Sequence, residues 1–219
     1  MKARFTPSVP LPRIPQGIET LDTTDLTDAR ELTKVRIEDR TFARSTANGV
    51  TLEQALLQRV LLTASRLNGA RLFDVQCEAS DLSGATWQRS RWQRVYLKGC
   101  KLTGMQLPSF SGVDVVFQEC SMEGVIFSGG KIKGLHLERC RLARAVFDRV
   151  DLSDAVFRGC DLTGVDLSGS HLHRVDLRGS EIPDIRVEVG QYKGLVIDPL
   201  QAADLMAQLG CTVTPAEDA

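Results

Sequence analysis

The sequence predicts an all-β fold, a four-sided parallel β-helix that ends in a short α-helix. Three observations predict it. Apolar residues recur every five positions over most of the 219-residue chain, similar residues recur every 20 positions, and a helix-capping sequence follows the last repeat. Neither an α-helix nor a flat strand has a period of five, so a coil with five-residue sides accounts for the pattern.

The five-residue frame is clearest at residues 160–169, which read CDLTG VDLSG. Stepping by five from Leu72 to Ile197, the central residue of each unit is apolar everywhere except at Gly112. The position two residues earlier is nearly always Ala, Val, Ser, Cys or Gly, and it is never charged between Val50 and Leu195. One large and one small inward position in every five describe one side of a closed coil.

Residues 20 apart are expected to share a column of this coil, because four sides of five residues complete one turn. Four cysteines at the small inward position have this spacing, and a serine continues the column at each end: Ser80, Cys100, Cys120, Cys140, Cys160 and Ser180. A period of 20 therefore supports four sides rather than three or five.

Residues 50–69, VTLEQALLQRVLLTASRLNG, have the leucine density of a helix and a capping-box pattern at Thr51 to Gln54. The same residues also divide into four units that join the next repeat without a break, and we favour the repeat. Residues 30–49 indicate an imperfect first coil, since Arg30 and Arg40 occupy the small position.

The break at Gly112 exchanges volumes without inserting a residue. In this unit Phe110 stands at the small position and glycine at the large one. We therefore predict that the Phe110 ring fills the space that Gly112 leaves. No loop is expected to interrupt the frame between about residues 50 and 199.

The chain is expected to have three segments. Residues 1–29 contain four prolines in the first 15 positions and are predicted to form an extended arm that covers the first coil. Residues 30–198 form the β-helix. Residues 199–219 form a helix and a tail.

The C-terminal helix is predicted over residues 199–209. Asp198 suits the N-cap, Pro199 the first helical position, Gln201 the third position of a capping box, and Gly210 the position after the C-cap. The apolar face comprises Leu200, Ala203, Met206 and Leu209. This face either closes the last coil or forms a dimer seam, and both can hold together.

The composition argues against several classes of protein. The formal net charge is −1, which provides no bulk attraction to nucleic acid or anionic lipid. The first residues lack the apolar segment of a signal peptide, and no run of about 18 apolar residues predicts a membrane span. The six cysteines lack the pattern of a disulfide scaffold, and we expect reduced thiols in a cytoplasmic protein.

The repeat resembles that of the pentapeptide-repeat family, whose motif is A(D/N)LXX, in the units VDLSD, CDLTG, VDLSG and VDLRG. The resemblance covers about residues 30–199 and implies a right-handed quadrilateral parallel β-helix. The proline-started helix is similar to one that closes quinolone-resistance-type and mycobacterial members, where it contributes to a head-to-head dimer.

The resemblance implies a protein partner, DNA gyrase or topoisomerase IV, and a homodimer joined through the C-terminal helix. Well-known relatives bind gyrase by imitating the size and negative charge of duplex DNA. Residues 70–199 instead carry 17 Lys and Arg against 17 Asp and Glu, so this rod is neutral. The alternative is a scaffold or regulatory module that binds a different protein.

No residue pattern predicts catalysis. Nucleophile motifs and phosphate-binding loops are missing from the sequence, and a straight column of inward thiols fits a core better than a tetrahedral metal site. His136, His171 and His173 fall on outward positions and are expected to be solvated. We therefore predict a protein that is not an enzyme, with no catalytic, cofactor-binding or metal-binding residues and no direct contact with nucleic acid or membrane.

Two outward surfaces are candidates for partner binding. One side carries a group of basic residues diluted by aspartates: Arg71, Arg91, Arg94, Lys131 and Lys133. Another side presents apolar residues in one column: Leu56, Tyr96, Val116, Val156 and Val196. The column is either a contact patch or an expression of strand propensity on an exposed side.

Overall fold

The computed structural model describes residues 9–22, 26 and 31–214. The chain forms a β-solenoid of about 9 turns. The strands are β1 (Glu19–Thr20), β2 (Glu31–Thr33), β3 (Val35–Glu38), β4 (Thr46–Asn48), β5 (Thr51–Gln58), β6 (Arg66–Asn68), β7 (Arg71–Glu78), β8 (Arg91–Lys98), β9 (Gln106–Gln118), β10 (Ile126–Glu138), β11 (Val146–Asp151), β12 (Val156–Arg158), β13 (Val175–Asp176) and β14 (Leu195–Val196). A 3₁₀ helix (Val189–Gly194) and helix α1 (Pro199–Gln208) complete the fold.

The strands pair in parallel with a constant offset of 20 residues. This register begins with Glu31 opposite Thr51 in β2 and β5 and ends with Asp176 opposite Val196 in β13 and β14. Among the described strands, only β1 departs from it, since Glu19 pairs with Val35. The period of 20 is thus confirmed. Residues 50–69 are confirmed as repeat, because β5 and β6 lie where a helix was the alternative.

The inward positions form one continuous core. Central residues such as Leu142 and Leu152 are completely buried, and each small inward position between them is filled as well. At the ends of the cysteine column, serine hydroxyls bond to the neighbouring coil: Ser80 Oγ accepts from the Val60 N–H at 2.9 Å, and Ser180 Oγ accepts from the Cys160 N–H at 3.0 Å. Burial on both flanks explains why the core repeats so strictly.

In most of the described coils, the last residue of each unit makes the corner. Glycines such as Gly164 and Gly169 have a positive φ there, as expected. Among the described residues, 19 that are not glycine adopt the same left-handed conformation, including Asp74, Arg94 and Asp114. The stacking of coils therefore imposes this conformation on ordinary side chains, which the sequence pattern did not predict.

The prediction for the break in the frame is confirmed. A Cβ added to Gly112 would lie 3.0 Å from Cε1 of the Phe110 ring, which therefore occupies the vacated space. The ring packs edge-on against Trp92, with 5.1 Å between ring centroids. One coil later a Cβ at Gly130 would lie 1.9 Å from the Phe110 carbonyl oxygen, so the backbones touch at this level.

The N-terminal segment differs from its prediction. Leu26 is buried and belongs to the core. Residues 9–18 instead lie on the outside of the solenoid, since the Arg13 N–H bonds to Asp74 and Val9 lies against Gly134. Proline fixes an extended backbone in this segment, which favours a path along the rod. The other residues of the predicted arm lie outside the described part of the chain.

Helix α1 begins and ends close to the prediction. The Asp198 side chain accepts hydrogen bonds from the N–H groups of Leu200 and Gln201, and the Gln201 side chain accepts one from the Asp198 N–H, which completes the capping box. Pro199 is the first helical residue, and Gly210 follows the C-cap with a φ of 86°.

Candidate partner-binding surfaces

The four stacked cysteines belong to the core. Each of Cys100, Cys120, Cys140 and Cys160 is at most 2% exposed. Burial raises the pKa of the Cys140 thiol, which stays protonated and weakly nucleophilic at neutral pH. Cys77 lies beside the column, with its sulfur 3.8 Å from that of Cys100. Within residues 9–22, 26 and 31–214, no three His, Cys, Asp or Glu side chains are placed to hold a metal ion.

Four of the predicted basic residues form a strip along one side of the rod, which we call the basic strip: Arg71, Arg91, Lys131 and Lys133. All four are exposed. Arg71 and Arg91 are direct neighbours in register, and Ser111 separates Arg91 from Lys131. Lys131 Nζ lies 2.5 Å from Asp151 Oδ2. Among the described side chains, Arg71, Arg91 and Lys133 have no ion pair, so the strip retains positive charge.

Arg94 was predicted as part of the same surface but is engaged within the fold. Its guanidinium donates two hydrogen bonds of 2.6 Å to Asp74, whose Oδ1 also accepts from the Arg13 N–H at 3.0 Å. The Arg94 hydrogen bond, aided by that of Arg13, holds the pKa of Asp74 below its usual range despite burial. Because Arg94 is paired with Asp74 in the neighbouring coil, its charge is not available to a partner, and it does not belong to the basic strip.

The apolar column is less accessible than its outward register predicts. Val116 is completely buried, Leu56, Tyr96 and Val156 are half-buried, and Val196 is 37% exposed. Side chains of this side cover one another, as where the Tyr96 hydroxyl donates to the Gln118 side chain. The expectation of a fully exposed column is therefore wrong for Val116.

The three histidines also differ in exposure. His171 and His173 are exposed on either side of buried Leu172, as expected. His136 is only 7% exposed, and burial lowers its pKa below the ordinary value. The prediction that all three are solvated is thus wrong for His136, which stands one coil beyond Val116 in the apolar column.

Helix α1 covers part of the last coil with a face that the sequence did not single out. Leu205 is 2% exposed, and Gln201 donates from Nε2 to the carbonyl oxygens of Leu177 and Ser180 at 2.6 and 2.7 Å. The capping-box pattern predicts Gln201 at this position, but it does not indicate that the same side chain also binds the last coil.

Three of the four residues of the predicted dimer seam are exposed to solvent. Leu200 is 81% exposed, Met206 42% and Leu209 48%, while Ala203 is half-buried. A groove of about 440 Å³ lies between this helix and the coil, and its lining is almost entirely apolar: Tyr192, Leu195, Ile197, Ala202, Leu205, Met206 and Leu209. We call it the C-terminal groove.

Over the described residues, no helix has the length and apolar character needed to cross a bilayer. A comparison with curated proteins found no match. Among solved structures, a trypsin-treated form of QnrB1, a plasmid-mediated fluoroquinolone resistance protein, is 20% identical with a TM-score of 0.48, covering 90% of this chain and 95% of that one. HetL, a pentapeptide repeat protein involved in heterocyst differentiation regulation in the cyanobacterium Nostoc, is 18% identical with a TM-score of 0.25, covering 77% of this chain and 90% of that one.

The family model for pentapeptide repeats matches eight copies over residues 140–179. The parallel register with an offset of 20 continues on both sides of that segment, from Glu31 to Val196. The matched units are pentapeptide repeats, and the coils that extend them on both sides share their construction.

Proposed function

We propose that this chain is a non-enzymatic, dimeric protein-binding rod whose partner is a type II topoisomerase, DNA gyrase or topoisomerase IV. The observation that carries the proposal is the exposed apolar surface at the C-terminal end of the rod. There α1 leaves Leu200, Met206 and Leu209 exposed beside an apolar groove. Contiguous apolar surface of this kind is typical of an interface.

A second copy is the occupant of the C-terminal groove. An isologous dimer places the same patch on both partners, so the exposed face of one α1 covers the groove of the other. The resulting rod is two-fold symmetric and about twice the length of one solenoid. The sequence resemblance to resistance-type members, whose proline-started helix joins a head-to-head dimer on gyrase, supports a symmetric topoisomerase as the partner.

The dimer is tested by replacing Met206. Met206→Asp places a charge in the apolar seam and should weaken association at least about tenfold, since burying an unpaired charge is costly. Light scattering after size exclusion measures it. Leu61→Asp is the matched control, because Leu61 is 47% exposed on a different part of the rod. Equal dissociation by both variants, or a monomeric native chain, would reject the seam.

The topoisomerase activity is tested in a supercoiling assay of gyrase with a fluoroquinolone, with and without the protein. The native chain should either restore supercoiling in the presence of the drug or inhibit the enzyme, and Met206→Asp should weaken the effect. No rescue and no inhibition at micromolar protein would reject gyrase as the partner while leaving the dimer unaffected.

The basic strip favours a second candidate, a scaffold or regulatory module for an acidic protein. Like charges that are adjacent in register repel each other, and an acidic partner would neutralise Arg71 and Arg91. Arg71→Glu with Arg91→Glu should then abolish binding to that partner, while Arg89→Glu, an exposed arginine outside the strip, should not. If the charge reversal leaves gyrase modulation intact, the strip is not the topoisomerase surface.

A further inference from the structure

Residues 9–18, VPLPRIPQGI, contact one corner of the solenoid at Asp74 and Gly134. We call residues 9–18 the arm and the surface between these two contacts the corner groove. The corner column contains Asp74, Arg94, Asp114 and Gly134 in successive coils. Asp74 accepts the Arg13 N–H at one end. At the other end a Cβ built on Gly134 would lie 3.1 Å from Val9 Cγ1, so the missing side chain makes a notch for valine.

The distance between the two contacts, which we call anchors, requires an extended chain between them. Asp74 and Gly134 are three coils apart, about 14 Å at the spacing of parallel strands. Four residues of polyproline II chain, from Arg13 back to Val9, span about 12 Å, and the valine side chain supplies the rest. Pro10 and Pro12 fix the backbone between the anchors in a compatible conformation, which lowers the entropy lost on docking.

The contacts are largely independent of the arm's side chains. Asp74 recognises a main-chain N–H, which any residue except proline provides. Its carboxylate is held ready by Arg94 and is only 9% exposed. The notch at Gly134 demands one modest apolar side chain. Other proline-containing segments with the same spacing can satisfy both anchors.

The arm itself is lightly held. None of residues 9–18 is buried, and Pro10, Leu11 and Arg13 are exposed although they lie between or at the anchors. Leu26, in contrast, is 4% exposed within the core. A segment that buries so little can be displaced by a competitor, provided that the competitor overcomes the arm's high local concentration.

We propose that the corner groove is a docking site for an extended, proline-containing segment of a protein partner, and that the arm is its resident occupant. The site is independent of the C-terminal dimer and of any topoisomerase. A partner segment binds by replacing Val9 in the notch and the Arg13 N–H on Asp74.

The test uses the full chain and a fluorescent synthetic peptide with the sequence of residues 9–18. Val9→Asp weakens the arm, because its carboxylate would lie beside that of Asp114, whose Oδ1 is 2.8 Å from a Cβ built on Gly134. Fluorescence anisotropy should show that this variant binds the peptide at least about tenfold more tightly than the native chain, whose arm competes. Leu11→Asp is the matched control, since Leu11 is 44% exposed, and it should bind like the native chain.

A third variant localises the peptide. Gly134→Ala in the Val9→Asp chain fills the notch and should remove the gain in affinity. The backbone tolerates alanine there, because Asp74, Arg94 and Asp114 adopt positive φ in the same column. The one close contact besides Val9 is Asp114 Oδ1, 2.8 Å from the new Cβ, and this end of the side chain can rotate away. The proposal is overturned if Val9→Asp binds no better than the native chain, if a scrambled peptide binds equally well, or if the gain survives Gly134→Ala. Self-association of the native chain that Val9→Asp abolishes would assign the groove to the arm of a second copy instead.

Discussion

The middle coils and the last coil of this solenoid bury their apolar residues by different means. Leu142 and Leu152 have a coil above and below them and are completely buried. Tyr192, Leu195 and Ile197 in the last coil are only half-buried, although α1 lies beside them. Inside the rod, neighbouring coils alone are enough to bury the apolar residues. At the end, burial depends on helix α1 and, in our proposal, on a second copy of the chain.

The largest effect should come from truncating the core in each region. Leu142→Ala should lower the free energy of unfolding by about 3 kcal/mol, since it removes a completely buried side chain from a closed layer. Ile197→Ala should cost about 1 kcal/mol, because part of the vacated space is open to water. Urea denaturation followed by circular dichroism measures both, and equal losses would contradict the comparison.

In both regions a glycine lies so close to the backbone of the neighbouring coil that a larger residue should not fit. A Cβ at Gly130 would lie 1.9 Å from the Phe110 oxygen, and one at Gly194 would lie 1.7 Å from the Leu172 oxygen. Alanine at either site should cost about 3 kcal/mol through overpacking. Gly159→Ala is the control, with only Arg139 Cγ nearby at 3.6 Å, and should cost about 1 kcal/mol. A Gly194→Ala variant as stable as the control would indicate a looser end.

The buried amide of the cap should contribute next. Gln201→Ala removes two hydrogen bonds to solenoid carbonyls and should destabilise the chain by about 2 kcal/mol. Amide hydrogen exchange should speed up in α1 and leave the middle coils unchanged. Asp204→Ala, at an exposed site on the same helix, is the control. Faster exchange throughout the rod would mean that the cap stabilises every coil.

Exchanging sulfur for oxygen in the cysteine column should have a small effect. The Cys120 thiol already lies 3.4 Å from the Gln118 carbonyl oxygen, and Ser80 in the same column donates to the carbonyl of Glu78 at 2.8 Å. Cys120→Ser should therefore change stability by less than about 1 kcal/mol. A loss comparable to that of Leu142→Ala would give the thiol a role beyond packing.

Different hydrogen-bond donors lower the pKa of an aspartate in each of the two regions. Hydrogen bonds from Lys131 and then Ser153 lower the pKa of Asp151 to about 2, whereas the N–H groups of Gln201 and Gly179 lower that of Asp198. Both carboxylates stabilise the fold fully above their ordinary value of 3.8, and the contribution is lost as the pH falls through the folded value. NMR titration of Lys131→Met should show a higher pKa for Asp151 and no change for Asp198.

Sequence alone was enough for the solenoid, its register and the helix, because these follow from strict local rules. The period of five identifies inward positions, and the cysteines 20 apart establish the coil. Even the exchange of Phe110 and Gly112 was predictable from volume. Where one residue type recurs at one position, a single sequence is as informative as the coordinates.

The outward surfaces were harder to predict because their state depends on contacts between distant residues. Arg94 matches the pattern of the basic strip but is paired with Asp74, and Val116 matches an exposed column but is completely buried. The arm was expected over the first coil, yet Val9 lies beside Gly134, far along the rod. Nothing in the local sequence of the arm encodes that distance.

The two tryptophans of the chain lie together, with 6.0 Å between the Trp87 and Trp92 ring centroids, and both are buried in the interior of the rod. Intrinsic fluorescence therefore reports on this one section and is silent about α1 and the last coil. An unfolding curve recorded by fluorescence should show a later midpoint than one recorded by far-ultraviolet circular dichroism, which sums over every coil. The gap between the two curves is a direct optical measure of how far the end of the rod melts before its centre.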